Sequence, residues 1–112
     1  MTESPALTTP PAGARLVWER ADGTRTEFAL GTEPIVIGRD DEAGIKIDEP
    51  LVSRQHARIE WQADSFVVID LASTNFTRLN GEKVMRARLE HGDELRFGRA
   101  VSRLLLEPAQ QP

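Results

Sequence analysis

From about Arg15 to Leu106 apolar and polar side chains alternate with a period of two, and turn residues recur every eight to twelve positions. That pattern predicts short strands assembled into an all-β sandwich or barrel. Leu16 and Trp18 alternate with Val17 and Glu19, and Ala21-Asp22-Gly23-Thr24 predicts a hairpin turn into Thr26, Phe28 and Leu30, because Asp-Gly supplies the positive φ such turns need. Ile35-Val36-Ile37 stops at Gly38, and Ile45-Lys46-Ile47 follows. Ala57, Ile59 and Trp61 alternate with Arg58 and Glu60. Phe66 to Ile69 is nearly continuous in apolar character, as suits a central strand; Leu95 with Phe97 and Val101 to Leu106 complete the set. Glu82 to Glu90 is built of good helix formers with Gly92 placed as a helix stop. An extended reading is preferred there, because Met85, Ala87 and Leu89 alternate with Val84, Arg86 and Arg88, and a lone helix of that length is marginal in water.

The ends of the chain differ in composition. Residues 1–14 hold three prolines, three threonines, a serine and only one long apolar side chain besides the initial Met1, too little apolar surface to offset the entropy of ordering. A flexible tail is expected over 1–14, a single domain over 15–106 and a second tail over 107–112. A chain of 112 residues buries roughly two thirds of its unfolded surface, so it needs no metal or disulfide. It has no cysteine, which removes disulfides and thiolate zinc alike. No segment has the form of a signal peptide or approaches the ~20 apolar residues of a membrane span, so a cytoplasmic, soluble protein without a membrane role is expected. A formal net charge of −4 argues against nucleic acid as a partner. Between Val52 and Arg88, however, six Arg or Lys face four acids, and a compact anion is compatible with that stretch.

The chemistry-bearing residues cluster at strand ends: Gly38-Arg39, Ser53-Arg54-Gln55-His56, Ser73-Thr74-Asn75 and Asn80-Gly81. Each either donates hydrogen bonds to an anion or lets the backbone turn tightly. The set lacks the carboxylate cluster of a divalent-metal site and the cysteines of a zinc site, so it suits a ligand rich in acceptor oxygens. Phosphate is the obvious candidate, and no cofactor is expected. A sandwich carries its connecting loops at its ends, so these residues can converge despite their separation in sequence.

Taken together, Gly38-Arg39, Ser53-x-x-His56, the run Asp70-Leu-x-Ser-Thr-Asn75, Asn80-Gly81 and Leu89-x-x-Gly92-Asp93 resemble the pattern of a forkhead-associated domain, the phosphothreonine-peptide-binding module. Each fragment alone is a common turn; five in order are specific. The resemblance implies a two-sheet antiparallel β-sandwich of about 10–11 strands with ligand loops at one end. It implies a non-enzymatic adaptor downstream of serine/threonine kinases, with a phosphothreonine-containing protein or peptide as partner. Arg39, Ser53 and Arg54 would contact the phosphate, Thr74 would complete its cradle, Asn75 would bind the ligand backbone, and Asn80 would support the loop and the peptide. Gly38 and Gly81 would be backbone devices and His56 a scaffold residue. Ala72 and Phe76 depart from the pattern, standing where glycine is frequent. Phe76 is then expected either in an ordinary backbone region or as an exposed aromatic.

Blander readings stand beside these. Arg39 would be an ordinary surface ion pair with Asp40, Asp41 or Glu42, Ser53 a turn residue, and Trp18 and Trp61 core packing. His91 reads as solvated. Ser53, His56 and Asp70 have the residue types of a hydrolytic triad, but no Gly-x-Ser-x-Gly elbow accompanies them. The alternative to phosphate recognition is a phosphate-independent interaction or scaffold domain on the same fold. The acidic run Asp40 to Glu42 with Asp48-Glu49 is expected to disfavour ligands that are acidic on the side it faces. In some relatives of the family a phosphorylated tail threonine occupies the domain's own site, which makes Thr8 or Thr9 a candidate self-ligand here. A monomer is expected, with its loop end accessible.

Overall fold

The computed structural model describes residues 9–106. Among them are eleven strands and no helix: β1 Arg15–Glu19, β2 Arg25–Ala29, β3 Ile35–Gly38, β4 Ile45–Lys46, β5 Ala57–Gln62, β6 Ser65–Asp70, β7 Thr77–Leu79, β8 Glu82–Val84, β9 Arg86–Arg88, β10 Glu94–Phe97 and β11 Ala100–Leu105. They form two sheets, ordered β2-β1-β11-β10-β7-β8 and β4-β3-β5-β6-β9. Side-chain alternation decides the layering. Leu16, Leu95, Phe97 and Leu104 of the first sheet and Ile37, Ile59, Phe66 and Val68 of the second are buried in one core, the arrangement that lets two strand layers each hide one face. Trp61 meets Phe66 edge-on with ring centroids 4.9 Å apart. Trp18 is buried, and the Arg20 guanidinium carbon lies 4.0 Å above its ring.

The two-sheet, largely antiparallel sandwich and the extended 82–90 segment are as expected, with three refinements. The strand pairs are antiparallel except β3 with β4, which run parallel with Ile37 opposite Ile45. A two-residue strand offers no pattern from which its direction can be read. Secondly, 82–90 is extended but not one strand: β8 pairs with β7 in the first sheet, β9 with β6 in the second. Met85 is the step between them, its carbonyl accepting the Asp70 amide at 2.9 Å. Its side chain is therefore 70% exposed rather than sharing a buried face with Ala87 and Leu89. Thirdly, His91 is exposed but not only solvated, since its Nδ1 accepts the Leu106 amide at 2.9 Å.

At the N-terminal side Ala14 is buried, and its carbonyl accepts the Leu30 amide at 3.0 Å, so the packing reaches one residue ahead of β1. Of the two tails, 1–8 and 107–112 lie outside the described residues.

Candidate functional site

Three connections meet at one end of the sandwich: the turn after β3, the β4–β5 loop and the β6–β7 loop. Their meeting depends first on Gly38. A Cβ there would stand 2.0 Å from the Arg54 carbonyl oxygen, and both neighbouring contacts are backbone atoms as well. Only a residue without a side chain lets β3 run against the 53–55 segment. The approach is fastened by the Arg39 amide to the Ser53 carbonyl (3.0 Å), the Asp40 amide to the Arg54 carbonyl (3.2 Å) and the His56 amide to the Ile37 carbonyl (2.8 Å). Gly98, which the sequence motifs did not include, acts alike from the β10–β11 turn. Its φ is 64°, and a Cβ would fall 2.5 Å from the Leu51 carbonyl oxygen.

His56 is fully buried and ties two loops together. Its Nδ1 accepts the Ser53 amide at 3.0 Å, which requires the proton on Nε2, and Nε2 then donates to the Phe76 carbonyl at 2.8 Å. Burial pushes the His56 pKa down, against opposing influences from the Phe76 carbonyl and the Asp70 charge. The neutral ring is thus the one the fold demands. Because the folded pKa lies below that of the unfolded chain, the unfolded state binds more protons just below pH 6.5. The stabilisation is complete above about pH 6.5 and is lost as pH falls through the folded value. Denaturant midpoints measured from pH 7.5 down to 5 should therefore fall, with the loss starting near pH 6.5; a flat profile across that window would contradict the assignment.

Asp70 organises the β6–β7 loop. It accepts the Ser73 amide (3.0 Å), the Ser73 hydroxyl and the Thr77 hydroxyl (2.7 Å). Burial raises its pKa, but these donors outweigh it and leave the carboxyl below its ordinary value. Within this frame Ala72 and Phe76 hold φ of 57° and 67°, the left-handed region glycine favours. Phe76 therefore does not sit in an ordinary backbone region: it keeps the glycine conformation and also projects outward, 42% exposed, with Lys83 Nζ 3.9 Å from its ring centroid. Such backbone costs about 1–2 kcal/mol for a residue with a Cβ. The Asp70 and His56 bonds on either side of it supply the constraint.

A concave spot of about 160 Å³ opens where the loops join, lined by Arg39, Pro50, Leu51, Val52, Ser53, Thr74 and Asn75. Arg39 donates Nε to the Val52 carbonyl at 2.9 Å, which orients the guanidinium and leaves its two terminal NH₂ groups for a ligand. Its ion pair with the acidic run does not form; Asp41 is taken by Lys46, and Asp40 accepts the Glu42 amide. The Ser53 hydroxyl oxygen accepts the Thr74 amide at 3.1 Å, so its proton is free to be donated outward. Asn75 donates Nδ2 to the Leu51 carbonyl at 3.0 Å and keeps its Oδ1 for a backbone N–H. The Arg54 side chain, next to Ser53 in sequence, is exposed and is not among the residues lining the spot. Both His56 nitrogens are engaged elsewhere, so the imidazole does not take the Ser53 proton as a triad base would.

Asn80 is not among the residues lining this spot. It follows β7 at the end away from Thr77, and both its amide atoms are used there, Nδ2 donating to Asp93 (3.0 Å) and Oδ1 accepting the Glu94 amide (3.0 Å). It pins the Asn80-Gly81 turn, where φ is 51° and 91°, onto the start of β10. Asp70, Ser73, Gly98 and the Pro50-Leu51 pair complete the site architecture. The Asp-x-x-Ser spacing signals the first two; nothing local signals Gly98, whose contact is with a segment far away in sequence.

A β-sandwich that offers one arginine fork, a free hydroxyl proton and an amide oxygen around a shallow, water-open depression defines an anion-reading interaction module. Residues 35–98 match the FHA domain family. The chain is a member of that family. It is 38% identical over 99 residues, 88% of this chain and 69% of the other, to an oxoglutarate dehydrogenase inhibitor of Corynebacterium diphtheriae. It is 35% identical over 101 residues, 90% of this chain and 62% of the other, to the glycogen accumulation regulator GarA of Mycobacterium tuberculosis, so it spans less than two thirds of GarA's length. Among solved structures, one from a study of phosphothreonine-dependent FHA domain interactions superposes with a TM-score of 0.75 at 28% identity, covering 85% of this chain and 97% of that one. Among the described residues no helix is long and apolar enough to cross a membrane.

Proposed function

We propose that this domain binds phosphothreonine-containing segments of partner proteins, as a signalling adaptor downstream of serine/threonine kinases, and catalyses no reaction itself. The observation that carries the reading is the spot where Arg39, Ser53, Thr74 and Asn75 meet, with donors left unused on the first two. A phosphomonoester at pH 7 brings about −1.5 to −2 charge and three strong acceptors. Two NH₂ groups of Arg39, the Ser53 hydroxyl and the exposed Arg54 suit those acceptors, while Asn75 Oδ1 suits a peptide N–H. One phosphate and a few backbone bonds make a small interface, so a dissociation constant near micromolar, about 8 kcal/mol, is expected. Fluorescence anisotropy with degenerate phosphothreonine, phosphoserine, phosphotyrosine and unmodified peptide pools tests the class. Preference for the phosphothreonine pool is the expected outcome; equal binding of the unmodified pool would favour a phosphate-independent interaction domain, with exposed Phe76 as its contact.

The same site is the proposed receptor for the chain's own tail once Thr8 or Thr9 is phosphorylated. Thr8 lies outside the described residues, and Thr9 is exposed. A tail-phosphorylated sample should bind external phosphopeptide more weakly than the unmodified protein; unchanged affinity rejects autoinhibition. The working unit is proposed to be a cytoplasmic monomer, since the loop end has to stay open to its ligand.

A further inference from the structure

The outer face of the six-stranded sheet carries an arrangement that packing does not explain. Arg96 of β10 stands directly opposite Arg78 of β7, and Arg78 directly opposite Lys83 of β8. Directly paired residues point to the same side of a sheet, and the residues flanking Arg78 and Arg96 in sequence (Thr77, Leu79, Leu95 and Phe97) are turned toward the core. Three exposed cations thus lie in one row across three adjacent strands. Like charges in that position repel and cost stability. The compensation is thin: Glu94 reaches Arg96 at 3.6 Å, and among the described residues neither Arg78 nor Lys83 has a carboxylate partner. This occurs in a chain of formal charge −4, where acids to neutralise the row were not scarce.

The row also has a definite relation to the phosphate spot. Lys83 covers the Phe76 ring, Phe76 accepts the bond from His56, and His56 accepts the Ser53 amide. The row therefore abuts the site on the side of the six-stranded sheet. On the other sheet the site is flanked by Asp40, Asp41 and Glu42, directly after β3. A ligand seated in the spot meets negative potential on one side and positive potential on the other.

We infer that the Arg78, Lys83 and Arg96 row, entered past the Phe76 ring, is a second docking surface for an acidic segment of the same phosphothreonine-bearing partner. The inference rests on the phosphothreonine reading above. A cationic strip continuous with an anion site, in a protein otherwise acidic, complements an acidic peptide and sets the direction in which the bound chain runs. The exposed, left-handed Phe76 falls into place as the corner between the two surfaces, its ring and Lys83 presenting an aromatic and a charge together.

The test uses the full chain and three synthetic phosphothreonine peptides: one with Asp and Glu only before the phosphothreonine, one with them only after it, and one with Asn and Gln throughout. One of the two acidic peptides should bind roughly five- to twentyfold tighter than the neutral one at low salt, the sum of a few exposed ion pairs. That gain should shrink sharply at high salt and vanish in the triple variant Arg78→Gln, Lys83→Gln, Arg96→Gln. The variant should keep its affinity for the neutral peptide and, with the repulsion removed, should unfold no earlier than the parent. If the neutral peptide binds and neither acidic peptide gains, or if the gain survives in the triple variant, the docking surface is rejected while the phosphothreonine reading stands. If no phosphopeptide binds, both fall.

Discussion

Replacing Arg39 with alanine should weaken phosphothreonine-peptide binding by at least about a hundredfold, because each charge-assisted bond to the phosphate contributes roughly 1.5–3 kcal/mol and the guanidinium supplies two such donors. Fold stability should hardly change. The side chain is exposed and makes a single hydrogen bond, from Nε to the Val52 carbonyl. Arg39→Lys keeps the charge but not the fork or the Nε anchor, so it should recover only a small part of the loss. Isothermal titration with one phosphopeptide and a thermal melt of each variant separate the two quantities. Retained affinity in Arg39→Ala would show that the phosphate sits elsewhere.

Gly38→Ala acts on the other axis and should damage both stability and binding. The new methyl would stand 2.0 Å from the Arg54 carbonyl oxygen, with the Arg54 carbonyl carbon at 2.7 Å and the Gln55 Cα at 3.1 Å. No flexible side chain is there to yield; β3 or the 53–55 segment has to move. Overpacking of this kind costs about 1–3 kcal/mol and sometimes more, and a rigid backbone contact places this substitution at or above the upper end. The ladder from Arg39 to Ser53 and from Asp40 to Arg54 would open, separating the guanidinium from the Ser53 hydroxyl. Denaturant unfolding should show a midpoint well below the parent, and the surviving folded fraction should bind phosphopeptide poorly. An unaltered midpoint together with unaltered affinity would refute this role for Gly38.

Why some of this was readable in the sequence and some not follows from how far apart the interacting residues lie. The period-two run of β5, the continuous apolar run of β6 and the Asp22-Gly23 turn are local signals: Asp22 accepts both the amide (3.0 Å) and the hydroxyl (2.7 Å) of Thr24, and Gly23 has a φ of 91°. The recurrence of such signals sufficed for a β-sandwich. The sheet change at Met85 left no trace, because a one-residue step keeps the chain extended while exchanging its partners. Ala72 and Phe76 misled in the opposite sense. Their backbone is dictated by bonds from Asp70 and His56 rather than by their own preference, so a local rule about glycine fails there. For Gly38 the residue type was informative but the reason was hidden: its φ is not among the positive ones, and what matters is the missing side chain against the backbone of Arg54 and Gln55 in the β4–β5 loop, well separated from it in sequence. Asn80 shows the limit of motif reading, since Asn-Gly marks the turn while only its bonds to Asp93 and Glu94 reveal what the amide holds.

The claim on which the account turns is that loops from distant parts of the chain close on one phosphate. A ¹H–¹⁵N NMR titration with a phosphothreonine peptide and its unphosphorylated twin measures this directly. The account predicts saturable shifts, with the phosphopeptide only, largest at the amides of Arg39, Ser53, Thr74 and Asn75 and at the Arg39 Nε–H. Shifts of the same size with the unphosphorylated peptide, or phosphate-dependent shifts confined to residues remote from these four, would contradict it.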